Sequence, residues 1–84
     1  MSFVTYTEIF GEVKNARRAA KVAAEVAKDI YGQEERPYIV KFNKNANAWI
    51  VDGSLPFRFF MAGGVATVAI EKDTGEILMV IHTK

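Results

Sequence analysis

Few residues in this sequence are of the types that catalyse reactions or bind metals. His82 is the single histidine among 84 residues, and the sequence contains no cysteine. These counts exclude a two-histidine metal motif, a thiolate zinc site and a cysteine nucleophile. A serine–histidine–aspartate arrangement has no supporting context either. Because His82 lies at the end of a predicted strand, we interpret it as a structural or edge residue rather than a catalytic base.

Carboxylates are the remaining candidates for general acid–base chemistry. Most of them lie at predicted strand ends and turns, where a solvated charge is the usual role; those considered are Glu34, Glu35, Asp52, Glu71, Asp73 and Glu76. Asp52 carries slightly more weight, since it ends an apolar strand and can face a groove. The pair Gly63-Gly64 is not a phosphate loop, because no Lys-Ser/Thr and no helix follow it. The sequence therefore predicts a non-enzymatic protein without a cofactor.

The charge balance argues against a nucleic-acid or membrane partner. Eleven Lys and Arg residues stand against ten Asp and Glu residues, which gives a net charge of +1. Binding to phosphates requires a concentrated basic surface, and no segment of this chain predicts one. No apolar run approaches the roughly 18 residues of a membrane span. We therefore expect a soluble, cytoplasmic protein.

The clearest structural element lies between Asn15 and Gly32. Apolar residues recur at helical spacing on one face, centred on Ala23, and charged residues fill the opposite face. The apolar face comprises Ala16, Ala19, Ala20, Ala23, Val26, Ala27, Ile30 and Tyr31. The Asn15 side chain can accept hydrogen bonds from the amides of the first turn, and Gly32 can take the left-handed conformation that ends a helix. The pattern predicts a helix over residues 15–31 that approaches a sheet closely through its small side chains.

After Pro37 the apolar residues alternate as they do in strands. Two antiparallel hairpins are predicted, with strands near residues 38–43 and 48–53 and then near residues 64–72 and 76–82. Asp73-Thr74-Gly75 supplies the short loop of the second hairpin, with a glycine where a positive φ is expected. Residues 1–14 fit a short helix or a strand equally well.

These elements predict an α+β fold in which one long N-terminal helix packs on a four-stranded antiparallel sheet. We expect one domain over residues 1–84, with residues 1–14 as its ambiguous N-terminal segment. The helix must cover one sheet face, which in the last hairpin is expected to carry Val68, Ile70, Leu78 and Val80. The opposite set is mostly apolar where a water-facing side is normally polar, so we expect that face to be covered too; it comprises Thr67, Ala69, Met79 and Ile81.

The segment between the hairpins is unusually apolar for a surface connection. Four large apolar residues and one arginine lie within Phe57–Met61, although loops normally run over the surface. Either the segment closes the domain's own core, or its aromatic residues and arginine anchor a partner. Because it leads directly into the strand that carries Ala69, we predict a single partner-binding patch made of Phe57, Arg58, Phe59, Phe60, Met79 and Ile81.

The C-terminal region resembles a known family. Gly64-Val65 opens an alternating strand, Asp73-Thr74-Gly75 and Ile77-Leu78 follow, and the chain continues to His82-Thr83-Lys84. This string resembles the signature of the bacterial immunity proteins with a nuclear transport factor 2 fold. Earlier segments occur in the order that this family shows, namely Ile30-Tyr31-Gly32, Pro37-Tyr38, Trp49-Ile50-Val51 and Gly53-x-Leu55-Pro56.

The resemblance covers about residues 13–84 and implies both a fold and a function. The implied fold is cystatin-like, as in nuclear transport factor 2, and the implied function is non-enzymatic: to bind and neutralise a cognate toxin of a bacterial polymorphic toxin system. The partner would then be a toxin protein, with self-association as another use of the same patch. The family has no catalytic residues to carry over, and no motif fixes its toxin contacts.

Two other classes of protein remain open at this point. The run from Asp73 to Leu78 also resembles the second hairpin of PepSY domains, which are small binding or peptidase-inhibitor modules. An enzyme related to the cone-shaped isomerases of the same fold would need a deep polar pocket with placed Asp, His or Tyr residues. One histidine and a short sheet argue against such a pocket.

Overall fold

The computed structural model describes residues 2–4, 6–32, 39–53 and 65–83. One helix and five strands follow along the chain: β1 (Ser2–Val4), α1 (Ala16–Tyr31), β2 (Ile39–Asn43), β3 (Ala48–Asp52), β4 (Val65–Glu71) and β5 (Ile77–Thr83). The strands form one antiparallel sheet in the order β1-β5-β4-β3-β2. The predicted α+β arrangement of a helix on an antiparallel sheet is confirmed, and β2 to β5 are the four predicted strands.

The additional strand, β1, comes from the N-terminal segment that the sequence left ambiguous. It pairs with β5, so that Phe3 lies opposite Ile81. Residues 6–14 are neither a helix nor a regular strand. They run instead past the turn between β4 and β5, where Ile9 forms an isolated bridge with Glu76.

Helix α1 begins and ends as its sequence predicts. The Asn15 side chain accepts a hydrogen bond from the Arg18 amide at 2.9 Å, and Gly32 has a φ of 79° and donates its amide to the Lys28 carbonyl. The buried face differs from the predicted one, because Val22 and Ala24 are buried as well and Ala16 is exposed; its other members are Ala19, Ala23, Val26 and Ala27. These short side chains allow α1 to lie against β2, β3 and β4.

The sheet face below α1 shows one departure from the prediction. Val68, Ile70 and Val80 are buried there as expected, but Leu78 is 47% exposed. The register of β4 and β5 shifts, because Ala69 pairs with Met79 while Ile70 pairs with Ile77. A β-bulge of this kind inserts one unpaired residue and redirects its side chain. Ile77 therefore occupies the core position that the strict alternation assigned to Leu78, and that assignment is wrong.

The N-terminal segment is fixed to the turn between β4 and β5 by backbone contacts. The Gly11 amide donates to the Thr74 carbonyl at 2.9 Å, and the Val13 amide donates to the Lys72 carbonyl at 2.7 Å. These bonds place the Val13 side chain, which is fully buried, in the core. The Val13 carbonyl in turn accepts a hydrogen bond from Trp49 Nε1 at 2.9 Å. The segment therefore completes the core beside α1.

Gly75 allows this close backbone approach. It has a φ of 73°, as the predicted hairpin loop requires. A Cβ at this position would overlap the Gly11 carbonyl oxygen and would lie 2.6 Å from the Gly11 amide nitrogen. Gly32 also has a positive φ, but a Cβ there would meet nothing within 4 Å. A substitution at Gly32 therefore tests the effect of backbone conformation alone, whereas a substitution at Gly75 tests conformation and contact together.

Replacing Ala23 with Glu is expected to destabilise the protein by about 3 kcal/mol or more, because a charge would be buried against the sheet without a partner. Ala23 is 1% exposed. Lys21→Glu, on the exposed side of the same helix, is the control and should change the free energy of unfolding by less than about 0.5 kcal/mol. Urea unfolding of both variants measures the difference. Equal losses would contradict the orientation of α1.

Gly75→Ala is expected to destabilise the protein more than Gly32→Ala. Both changes place a Cβ on a left-handed residue, which costs roughly 1–2 kcal/mol, but only the first also forces the Gly11 backbone away. Urea unfolding should give a loss for Gly75→Ala at least about 1 kcal/mol larger. If the losses are the same, the N-terminal segment does not pack on this turn as described.

Candidate partner-binding face

The sheet has a second face, which is turned away from α1. Along each strand its residues alternate with those on the side of α1, and the strand register aligns them in rows across the sheet. One row joins Ile50, Ala69 and Met79, and the next joins Asp52, Thr67 and Ile81. We call this surface the outer face; its described side chains are Ile39, Lys41, Ile50, Asp52, Thr67, Ala69, Met79 and Ile81.

The outer face is more apolar than a water-facing sheet surface normally is. Ile50, Met79 and Ile81 are half-buried, and Ala69 between Ile50 and Met79 is only 5% exposed. Ile39 at the end of the face is 55% exposed. This arrangement gives an apolar surface, and apolar surface patches are typical of contact sites for other proteins.

Asp52 contributes a polar contact to this surface. The Thr67 hydroxyl donates to Asp52 Oδ1 at 2.7 Å across β3 and β4, and both side chains are half-buried. The carboxylate suggested by the sequence as the best acid–base candidate is therefore held by a neighbouring hydroxyl.

Two further described carboxylates, Glu71 and Asp73, bond to residues of the turns. Glu71 Oε1 accepts a hydrogen bond from the Thr74 hydroxyl at 2.8 Å, and Asp73 Oδ2 accepts one from Asn47 Nδ2 at 2.9 Å. Within the described ranges no three His, Cys, Asp or Glu residues are grouped so that they could hold a metal ion. Glu34 and Glu35 lie outside the described residues.

Within the described residues, the environment of Tyr6 raises the pKa of its side chain. Burial, together with a 2.6 Å hydrogen bond to Asp29 and the nearby charge of Glu8, raises the pKa of the Tyr6 phenol well above its usual value. Its ring stacks on Phe10 with the centroids 6.2 Å apart. These contacts join the N-terminal segment to α1 through Asp29.

The structure brings together two of the residues that the sequence predicted for partner binding. Met79 and Ile81 lie on the outer face in adjacent rows, next to Ala69 and Thr67. Phe57, Arg58, Phe59 and Phe60 lie outside the described residues, so the predicted patch as a whole stays a prediction. The backbone of His82 pairs with both Ser2 and Ala66, which places this residue in an interior strand rather than at an edge.

Sequence reasoning missed the part of the outer face that β2 and β3 provide. Ile39, Lys41 and Ile50 join it because β3 lies beside β4. The alternation that indicated these strands was visible, but alternation does not give the order of strands in a sheet. The sequence pattern therefore indicated only the part of the outer face that lies on β4 and β5.

The comparison with protein families decides which family this fold represents. A family model described as NTF2 fold immunity protein matches residues 18–84, which include most of α1 and the strands β2 to β5. This chain belongs to the NTF2 fold immunity protein family. The outer face lies entirely within the matched residues, so the surface belongs to the part of the chain that defines an NTF2 fold immunity protein.

The chain is also similar to one curated protein. It is 32% identical over 82 residues to "Uncharacterized protein YbbC" of Escherichia coli (strain K12). The match covers 86% of this chain, but the chain spans only 63% of the length of that relative. No solved structure matches the chain significantly. In the part of the immunity protein that the structure describes, no helix is long and apolar enough to span a membrane.

Neighbouring residues on β5 test whether the outer face is a surface or a second core. Val80 is 1% exposed below α1, whereas Met79 is half-buried on the outer face. Val80→Ser is expected to cost about 2–4 kcal/mol of unfolding free energy, and Met79→Ser about 1 kcal/mol or less. Thermal and urea unfolding measure both variants. Equal and large losses would mean that Met79 belongs to a core and is not available to a partner.

Proposed function

We propose that this protein binds a cognate toxin and neutralises it by occupying the toxin's functional surface, without catalysing a reaction. Membership of the NTF2 fold immunity protein family is the observation that carries this proposal. A non-enzymatic role agrees with the bonding of Asp52, Glu71 and Asp73, whose side chains bond to Thr67 and to turn residues. The system to which the toxin belongs is a polymorphic toxin system of bacteria.

The outer face supplies a physical basis for such binding. Tight association depends on a few anchors that become fully desolvated, surrounded by contacts that exclude water. Met79, Ile81 and Ile50 are half-buried by their own neighbours, so they are already held in place before a partner arrives. Binding then costs little side-chain entropy. The hydrogen-bonded pair of Asp52 and Thr67 beside them provides polar contacts that would fix the orientation of the bound partner.

The proposed partner-binding residues are those of the predicted patch. Met79 and Ile81 are the members on the outer face, and Phe57, Arg58, Phe59 and Phe60 would extend the anchor set with aromatic rings and a guanidinium group, which are enriched at interface centres. A PepSY-like binding module is the weaker alternative, because the family match covers residues 18–84 and names an immunity protein.

The double variant Met79→Ser with Ile81→Ser tests the proposal. The probe is the toxin encoded beside the gene for this protein, expressed with and without the immunity protein. The unaltered protein should restore growth when it is present in an amount equal to that of the toxin. The double variant should bind the toxin at least about 30-fold more weakly, which is a loss of about 2 kcal/mol in binding free energy. Isothermal titration calorimetry with purified proteins gives the dissociation constants.

Ile9→Ser is the matched control for this experiment. Ile9 is a large apolar residue that is 63% exposed, and it lies outside both the outer face and the matched region. It should leave toxin binding unchanged. Protection that persists at a large excess of toxin over immunity protein would indicate turnover and would contradict neutralisation by binding.

A further inference from the structure

β2 forms the long exposed edge of the sheet. Within the described strands it is the last in the order, with β3 on one side. Four of its five residues are exposed and Val40 is half-buried. The opposite edge, β1, has three residues. An edge strand presents backbone amides and carbonyls that can pair with another strand, and proteins normally protect such an edge by keeping it short or charged.

The side chains of β2 also offer apolar contacts on both faces. Ile39 is 55% exposed on the outer face, and Phe42 is 39% exposed on the face that carries α1. The Phe42 ring lies edge-on to Trp49 with the centroids 4.9 Å apart, so it is held in position. A strand added beside β2 would cover Ile39 and Phe42 together while pairing with the backbone between them.

Lys41 determines what kind of strand can pair here. It lies at the centre of β2 with its side chain exposed. If two copies of β2 paired antiparallel over their full length, Ile39 would lie opposite Asn43 and Lys41 would lie opposite Lys41 of the second copy. Like charges directly opposite each other destabilise a strand pair. The edge therefore disfavours a second copy and favours a strand with an acidic residue at this position.

We infer that the toxin is bound partly through β2: an extended segment of the toxin adds to the sheet as a further strand, with an acidic side chain opposite Lys41. This inference rests on the proposed function and specifies how the partner is recognised. Main-chain hydrogen bonds supply affinity in this mode, and the side chains on each face supply specificity. The added strand would continue the outer face past Ile39, so that the edge and the apolar surface form one continuous interface.

Lys41→Glu is the variant that tests this inference. It places a negative charge opposite the expected acid and should weaken toxin binding at least about tenfold. Lys44→Glu makes the same charge change in the exposed turn just after β2, and it should change the dissociation constant less than about threefold. Calorimetry with the toxin encoded beside the gene measures both variants.

Amide hydrogen exchange of the full chain, followed by NMR, reads the backbone contact directly. The amides of residues 39–43 that do not bond to β3 should exchange at least about tenfold more slowly in the toxin complex. A complex in which these amides are unchanged, and in which Lys41→Glu binds as Lys44→Glu does, overturns the edge contact and leaves the toxin-binding function standing. Protection of the same amides in the protein alone, increasing with its concentration, would identify a second copy as the occupant. Failure to bind the toxin at all overturns both proposals.

Discussion

The packing of α1 against one face of the sheet is the contact on which the rest of the structure depends. Its buried side is made of alanine and valine, with Ala23 at the centre and Val22 and Val26 beside it. Small side chains bring the helix close to the strands, and Val51 and Val68 are buried in the same core cluster. A single helix can cover only one face of the sheet, so α1 does not cover the outer face.

The helix is too narrow to complete the core alone, and the N-terminal segment supplies what is missing. The described strand contacts of α1 are with β2, β3 and β4, whereas the buried residues Ile77 and Val80 belong to β5. Val13 fills the space beside them, held by its amide bond to Lys72. The short Gly11–Gly75 approach is what permits this arrangement, because any side chain at residue 75 would push the segment outward.

The sequence alone was sufficient for the elements whose signals are local. The period of the alanines, the Asn15 cap and Gly32 defined α1, and the turn residues defined both hairpins. The bulge at Leu78 could not be foreseen, since strict alternation contains no sign of an extra residue. Residues 6–14 were also beyond prediction, because their structure comes from backbone contacts to a distant turn and not from a period of their own. The sequence likewise indicated Met79 and Ile81 but not the residues that β2 and β3 add to the outer face, because alternation does not give the order of strands in a sheet.

Trp49 lies where its intrinsic fluorescence reports on changes in the surrounding structure. It is the single tryptophan of the chain, and its indole nitrogen donates to the Val13 carbonyl while its ring touches Phe42. Indole emission responds to hydrogen bonding and to local polarity. Release of the N-terminal segment would remove the acceptor, and a change around Phe42 would alter the ring's surroundings. Steady-state fluorescence of the unlabelled protein therefore reports on two contacts of Trp49 at once, one with the N-terminal segment and one with β2.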